Sequence, residues 1–222
     1  MTHTSATDSR MSLGSASPAP LFLRVGFWLS IAIAVAVVIR RLAALANPTA
    51  SSAGPTAGLD LAFAHHSVLT VAHIVPAFLY VLLAPVVIFR KRARPAWADS
   101  LFYALGAVVG LTAYAMSGYA IGGWIERSAV LVFNSIFLFS LWQAWHFKQL
   151  ADEVRERRWL LRAVVVLLGI ATTRPVMGVF FASSRLTHLE PHQFFGIAFW
   201  IGFSINVIVI EWWLRRKRLP AA

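Results

Sequence analysis

Residues Ser67 to Phe89 read SVLTVAHIVPAFLYVLLAPVVIF, and Arg90-Lys91-Arg92-Ala93-Arg94 follow at once. The stretch holds no acid, lysine or arginine, and its length suits the ~20 apolar residues that cross a hydrocarbon core as a helix. The basic cluster behind it is the signal that keeps a connection on the cytoplasmic side. Composition agrees. A soluble domain is about 45–50% apolar and ~25% charged, whereas this chain of 222 residues is 59% hydrophobic and 13% charged. Too little polar surface remains to cover a globule in water, and a lipid-facing exterior resolves the mismatch.

Working outward, apolar segments recur at 21–45, 100–121, 128–147, 160–182 and 191–214, which with 67–89 makes six. Within hydrocarbon a backbone must satisfy its own N–H and C=O groups, so these segments are expected to be helical. The expected fold class is therefore all-α, a transmembrane bundle of about six helices with cytoplasmic N- and C-termini. Residues 1–20, rich in Ser, Thr, Ala and Pro, read as a disordered cytoplasmic tail, and 215–222 as a basic one. Ala44-Leu45-Ala46 resembles a signal-peptide cleavage site. The long leader before it and the adjacent Arg40-Arg41 favour a retained helix, with Arg24, Arg40 and Arg41 snorkelling to the headgroups.

Charge sets the orientation. With the N-terminus inside, fifteen of the 20 lysines and arginines fall on the cytoplasmic side, and Arg40, Arg41, Arg127, Arg174 and Arg185 on the other. The net charge of +11 thus reads as topogenic, with lipid headgroups rather than nucleic acid as the partner. The connection 46–66, with Asn47-Pro48, Gly54-Pro55 and Gly58, is an outer loop. There is no cysteine, which excludes disulfides, thiolate metal sites and thiol catalysis. Gly106 and Gly110 form a G-x-x-x-G pair suited to close helix approach. Trp97, Trp124, Trp159, Trp212 and Trp213 sit at segment ends as interfacial anchors.

Ionisable residues inside a membrane helix are costly and mark sites. At about 1.5 Å per residue, His73 lies roughly 10 Å inside one end of the second segment and Arg174 about 12 Å inside the corresponding end of the fifth. Tyr114, Ser117, Asn134 and Ser135 fall at comparable depth. Four helices thus place polar groups in one outer layer, expected to converge on a buried, outward-facing site. The acids nearest in topology, Asp60, Glu126 and Glu190, read as surface residues. Arg174 must then reach one of them, bind carbonyls such as that of Ala171, which Pro175 deprives of a donor, or meet an anionic ligand.

Thr187 to Glu190 matches an S/T-x-x-E capping box, with Pro191 early in the sixth helix. His65, His66, His73, His188 and His192 gather at the outer side. His66, His73 and His192 are the candidate metal ligands, for zinc, copper or a haem iron, with His66 and His192 best matched in depth for an axial pair. The candidate ligand-binding residues are His73, Tyr114, Ser117, Asn134, Arg174 and His192. Glu211 has Arg215 four positions on, a favourable helical pair.

Several of these positions carry a family resemblance. They are Ala72-His73-Ile74, Ala84-Pro85 to Phe89, Ser117-Gly118, Gly122-Gly123, Trp142, Arg158-Trp159-Leu160-Leu161-Arg162 and Arg174-Pro175. Across residues 66–180 the chain resembles the bacterial membrane proteins of the domain of unknown function 2306 family. The resemblance implies a multi-pass protein of a bacterial inner membrane and points to His73, Arg162 and Arg174, but implies no activity. Two departures stand out: Arg94-Pro95-Ala96-Trp97-Ala98-Asp99 replaces a usual His-Arg and Gly-Arg pattern, and Glu156-Arg157 stand where a His is usual.

Three functions fit these observations. One is binding of a redox cofactor, haem b or a quinone, between helices. Another is transport or sensing of a small anion at Arg174. The last is a non-catalytic scaffold whose polar layer only fixes packing. Whether the chain is an enzyme stays open, since no nucleophile elbow, H-E-x-x-H motif or P-loop is present.

Overall fold

The computed structural model describes residues 20–47, 61, 63–89, 96–188 and 190–216. Expectations for residues 1–19, for most of the outer loop including Asp60, and for the tail from residue 217 lie outside this range. The described chain is helical and contains no strand. Its elements are α1 (Leu21–Ala46), α2 (Ser67–Phe89), α3 (Ala96–Ser117), α4 (Gly123–Gln149), α5 (Glu153–Leu167), α6 (Gly169–Thr187) and α7 (Pro191–Arg216). Six stretches are long and apolar enough to cross a membrane, with α5 and most of α6 acting together as one of them. The chain is a multi-pass membrane protein with an all-α bundle. Large apolar side chains such as Val68, Leu111, Val179 and Ile208 stay exposed on its flanks, as lipid contact requires.

The fifth predicted segment is longer and less regular than expected. It begins at Glu153, where the Asp152 side chain caps the helix by accepting from the Arg155 amide. It is interrupted at Leu168, six positions before Arg174. Asn206 of α7 clasps this break. Its Nδ2 donates to the Val165 carbonyl at 2.8 Å, and its Oδ1 accepts from Thr172 at 2.7 Å. Beside it Gly202 lets α7 approach so closely that a Cβ there would sit 2.7 Å from the Thr173 Cα.

The Gly106/Gly110 pair is a contact face. A Cβ at Gly110 would meet Leu138 of α4 at 2.3 Å, and one at Gly106 would meet Leu141 at 2.6 Å and Tyr80 of α2 at 2.9 Å. At the end assigned to the cytoplasm, ion pairs tie the helices together. Lys148 meets Asp99 at 2.7 Å, and Arg158 donates to the Leu214 carbonyl. Arg162 grips both oxygens of Glu211. Glu211 is thus held from the neighbouring helix as well as standing one turn before Arg215, because α5 and α7 pack side by side. Trp97, Trp124 and Trp212 are exposed near helix ends, whereas Trp159 packs edge-on against Phe139 and under Arg162.

The capping-box expectation is corrected. Thr187 ends α6, and His188 closes it in a left-handed conformation with φ 54°. The reciprocal bond at the next helix is made by Gln193, whose Oε1 accepts from the Glu190 amide at 2.9 Å, the second half of a capping box shifted by three residues.

Candidate functional site

Helix α1 packs mainly on α2 and α6, and behind it lies a cavity of about 250 Å³. That is slightly below the usual size of a small-molecule pocket. All seven helices contribute to its wall. Of the residues expected to bind ligand, His73, Ser117, Asn134 and Arg174 line it, and His66 does too. Four helices therefore bring polar groups to one space.

Arg174 decides the character of the site. Its Nε is buried and has no hydrogen-bond partner. Glu126 lines the same cavity, but its Oε2 accepts from the Gly122 amide at 2.7 Å at the start of α4, a favourable place for a carboxylate. Glu190 instead faces His192, at 3.2 Å. Arg41 and Arg40 act on Arg174 as like charges. Arg41 is itself buried, lines the cavity and lies 4.0 Å from the centre of the Phe63 ring. The expected snorkelling of Arg41 to the headgroups is thus corrected, because it turns inward under an aromatic face.

His73 makes a directional contact. Its Nδ1 is 2.9 Å from the Thr112 Oγ1, and that hydroxyl already donates to the Val108 carbonyl at 2.7 Å. A hydroxyl has one proton to give, so Thr112 accepts and His73 Nδ1 carries the proton. In the neutral ring Nε2 is then left as an acceptor.

Asn134 is partly committed to structure. Its Nδ2 donates to the Gly110 carbonyl at 2.9 Å and joins α4 to the glycine face of α3. Ser117 donates to the Tyr114 carbonyl within its own helix at 2.7 Å.

Two expected ligand residues do not line the cavity. Tyr114 turns toward α4 and exchanges a hydrogen bond with Ser135 at 2.7 Å. The cavity face of α3 runs through Val109, Ala113, Met116 and Ser117, and Tyr114 follows Ala113 by about a quarter turn. His192 is exposed and contacts Glu190. His66 stacks on Tyr119 at 3.7 Å between ring centres. The proposed facing pair of His66 and His192 is therefore absent. The two histidines lining the cavity, His66 and His73, both belong to the α2 side. Among the described residues no group of three or more His, Cys, Asp or Glu side chains is placed to hold a metal ion, so the His66, His73, His192 set is not assembled.

The sequence reading missed Glu126, Arg41, Thr70 and Tyr119 as lining residues. The expected start of the fourth helix at 128 put Glu126 outside the membrane. The observed start at Gly123 makes it a buried first-turn residue. Gly122 and Gly196 also permit this burial: a Cβ on Gly196 would lie 2.6 Å from the Glu126 amide.

Comparison with protein-family models, with curated proteins and with solved structures finds no match. The reading of the site therefore rests on its own geometry.

Proposed function

We propose that this membrane protein binds a small anionic ligand in the cavity, with Arg174 as the counter-charge, as a sensor or transporter of that anion. One observation carries the reading. A guanidinium, charged under essentially all conditions, has its Nε buried and, among the described residues, unpartnered in a mostly apolar cavity, with Arg41 and Arg40 acting on it as like charges. An isolated charge in such surroundings is costly unless something pairs with it.

The test is thermal stabilisation of purified protein in neutral-lipid nanodiscs by acetate, benzoate and phosphate. At least one anion raises Tm in the native chain. The rise disappears in Arg174→Gln and persists in Arg127→Gln, whose side chain is exposed. Equal shifts in all three proteins would remove the reading.

A second reading, a bound quinone, is favoured by one detail. His73 offers an acceptor nitrogen and Arg174 donors to the same aromatic-walled cavity, which suits the hydroxyl and carbonyl ends of a quinol–quinone couple. Organic extraction of the purified protein would reveal a stoichiometric quinone by its ultraviolet change on borohydride reduction. A haem is less well served, since no facing histidine pair is formed. We further propose membership of the domain of unknown function 2306 family and a bacterial inner membrane as the location, on the residues quoted above. Neither brings an activity with it.

A further inference from the structure

The cavity is long and its two ends differ in chemistry. Along α2 its wall runs from Leu69 to Val81, twelve positions, or about 18 Å at 1.5 Å per residue, with His66 just before the helix. The antiparallel order of the helices fixes which end each residue occupies. The end assigned to the outside carries Arg41, His73, Glu126, Asn134 and Arg174. Deeper in the bundle the wall is made by Phe78, Val81, Phe137 and Val166, with no polar side chain among them. The charged groups are thus segregated from a hydrocarbon-lined extension that a compact anion would leave empty.

Resting on the anion reading above, we propose that the ligand is a single-chain anionic amphiphile, its carboxylate or phosphate head at Arg174 and its hydrocarbon tail in the Phe78–Val166 end. The head answers the unpartnered Arg174 Nε, and the tail fills space lined by groups that water would solvate poorly. The wall next to the bilayer fits a ligand of this kind. Helix α1 buries only Ile31, Ala34 and Arg41 and rests mainly on α2 and α6. The cavity is therefore separated from the lipid, where such amphiphiles reside, by the least embedded helix of the bundle.

A photoreactive probe reads both ends at once. Full-length protein in nanodiscs of neutral phosphatidylcholine is irradiated with a dodecanoate bearing a terminal diazirine, and the labelled residues are mapped by mass spectrometry. Labels are expected on cavity-facing Phe78, Val81 and Phe137. Excess dodecanoate or dodecyl phosphate should suppress them at least tenfold. Whichever competes better identifies the head group, and dodecanol should leave them unchanged. Arg174→Gln should lose them and Arg174→Lys should keep a substantial part. If the variants do not fold, competition in the native chain still decides the matter.

Labels confined to lipid-facing Leu79, Leu82 and Phe139, untouched by either anionic competitor, would mean bilayer partitioning alone and overturn the proposal. If cavity labels are missing while acetate or benzoate still stabilises the protein through Arg174, the tail inference falls and the anion site stands. If neither short nor long anions respond to Arg174, both fall.

Discussion

Replacing Gly202 by alanine tests the packing that positions Arg174. A Cβ at this position would lie 2.4 Å from the Thr173 Oγ1 and 2.7 Å from both its Cα and its N. Two of those atoms are backbone, so no rotamer change relieves the clash. Restoring ordinary contact requires α7 and α6 to separate by about 1 Å, against the Asn206 clasp on Thr172 and Val165. Overpacking of this kind costs about 1–3 kcal/mol, while alanine in place of glycine returns up to ~1 kcal/mol of helix propensity. The net is a loss of up to about 3 kcal/mol, which for a chain of this size is a fall in Tm of up to roughly 12 °C. Gly178 is the internal control, because it lies in α6 with nothing within 4 Å of an added Cβ. Gly178→Ala should leave Tm unchanged or raise it slightly. The assay is intrinsic-fluorescence melting of both variants in one detergent. Equal Tm values for the two would refute the close approach of α7 to Thr173, and with it the placement of neighbouring Arg174.

Two further predictions concern the site and its orientation. Thr112→Val removes the acceptor for His73 Nδ1–H at nearly constant volume. The Val109 carbonyl also bonds His73, so the loss is that of one hydrogen bond, about 0.5–1.5 kcal/mol; Tm should fall by a few degrees, and a value at or above the parent's would remove the His73–Thr112 contact. The chain has no cysteine, so single cysteines report sidedness. In right-side-out vesicles an impermeant maleimide should label Trp124→Cys directly and Leu150→Cys only after permeabilisation, and the reverse order would invert the bundle.

The fold was legible because lipid imposes a simple rule: apolar stretches of bilayer length must be helices, and the number of such stretches alone gives the architecture. The Gly106/Gly110 face was legible for a related reason, since without a side chain the pair could serve little but close approach. Helix ends were harder to read. Glu126 was assigned to the surface because a charge discourages extending an apolar segment through it, yet a first-turn carboxylate is satisfied by the Gly122 amide. Gly196 then lets α7 close over it. Depth along each helix put His73, Ser117, Asn134 and Arg174 at one level, but rotation about the axis decides which of them face inward. That angle depends on neighbouring helices, which is why Tyr114 shares the level without lining the cavity. Asn206 is not legible in the sequence because its partner, the Val165 carbonyl, is offered only at the interruption between α5 and α6, which the apolar pattern of the segment does not show.

Arg174 separates a binding role from a structural one. If it holds the bundle together, its removal should weaken the fold. The contacts argue otherwise: among the described residues its Nε has no acceptor, Arg41 and Arg40 act on it as like charges, and Glu126 is engaged by the Gly122 amide. A group in that position opposes folding through its lost hydration. Even a buried ion pair can be replaced by well-packed apolar side chains with a gain of ~1–4 kcal/mol in other proteins, and a charge without its counter-ion has less to lose. Arg174→Met keeps much of the length and removes the charge, so the ligand-free variant should melt a few degrees higher than the parent. It should also lose the Tm rise that anions give the native chain. The two effects together are what a binding residue predicts, stability given up in the empty state and recovered when the ligand arrives. A lower Tm for Arg174→Met without ligand would place Arg174 in the structural framework and turn the polar layer into a packing device.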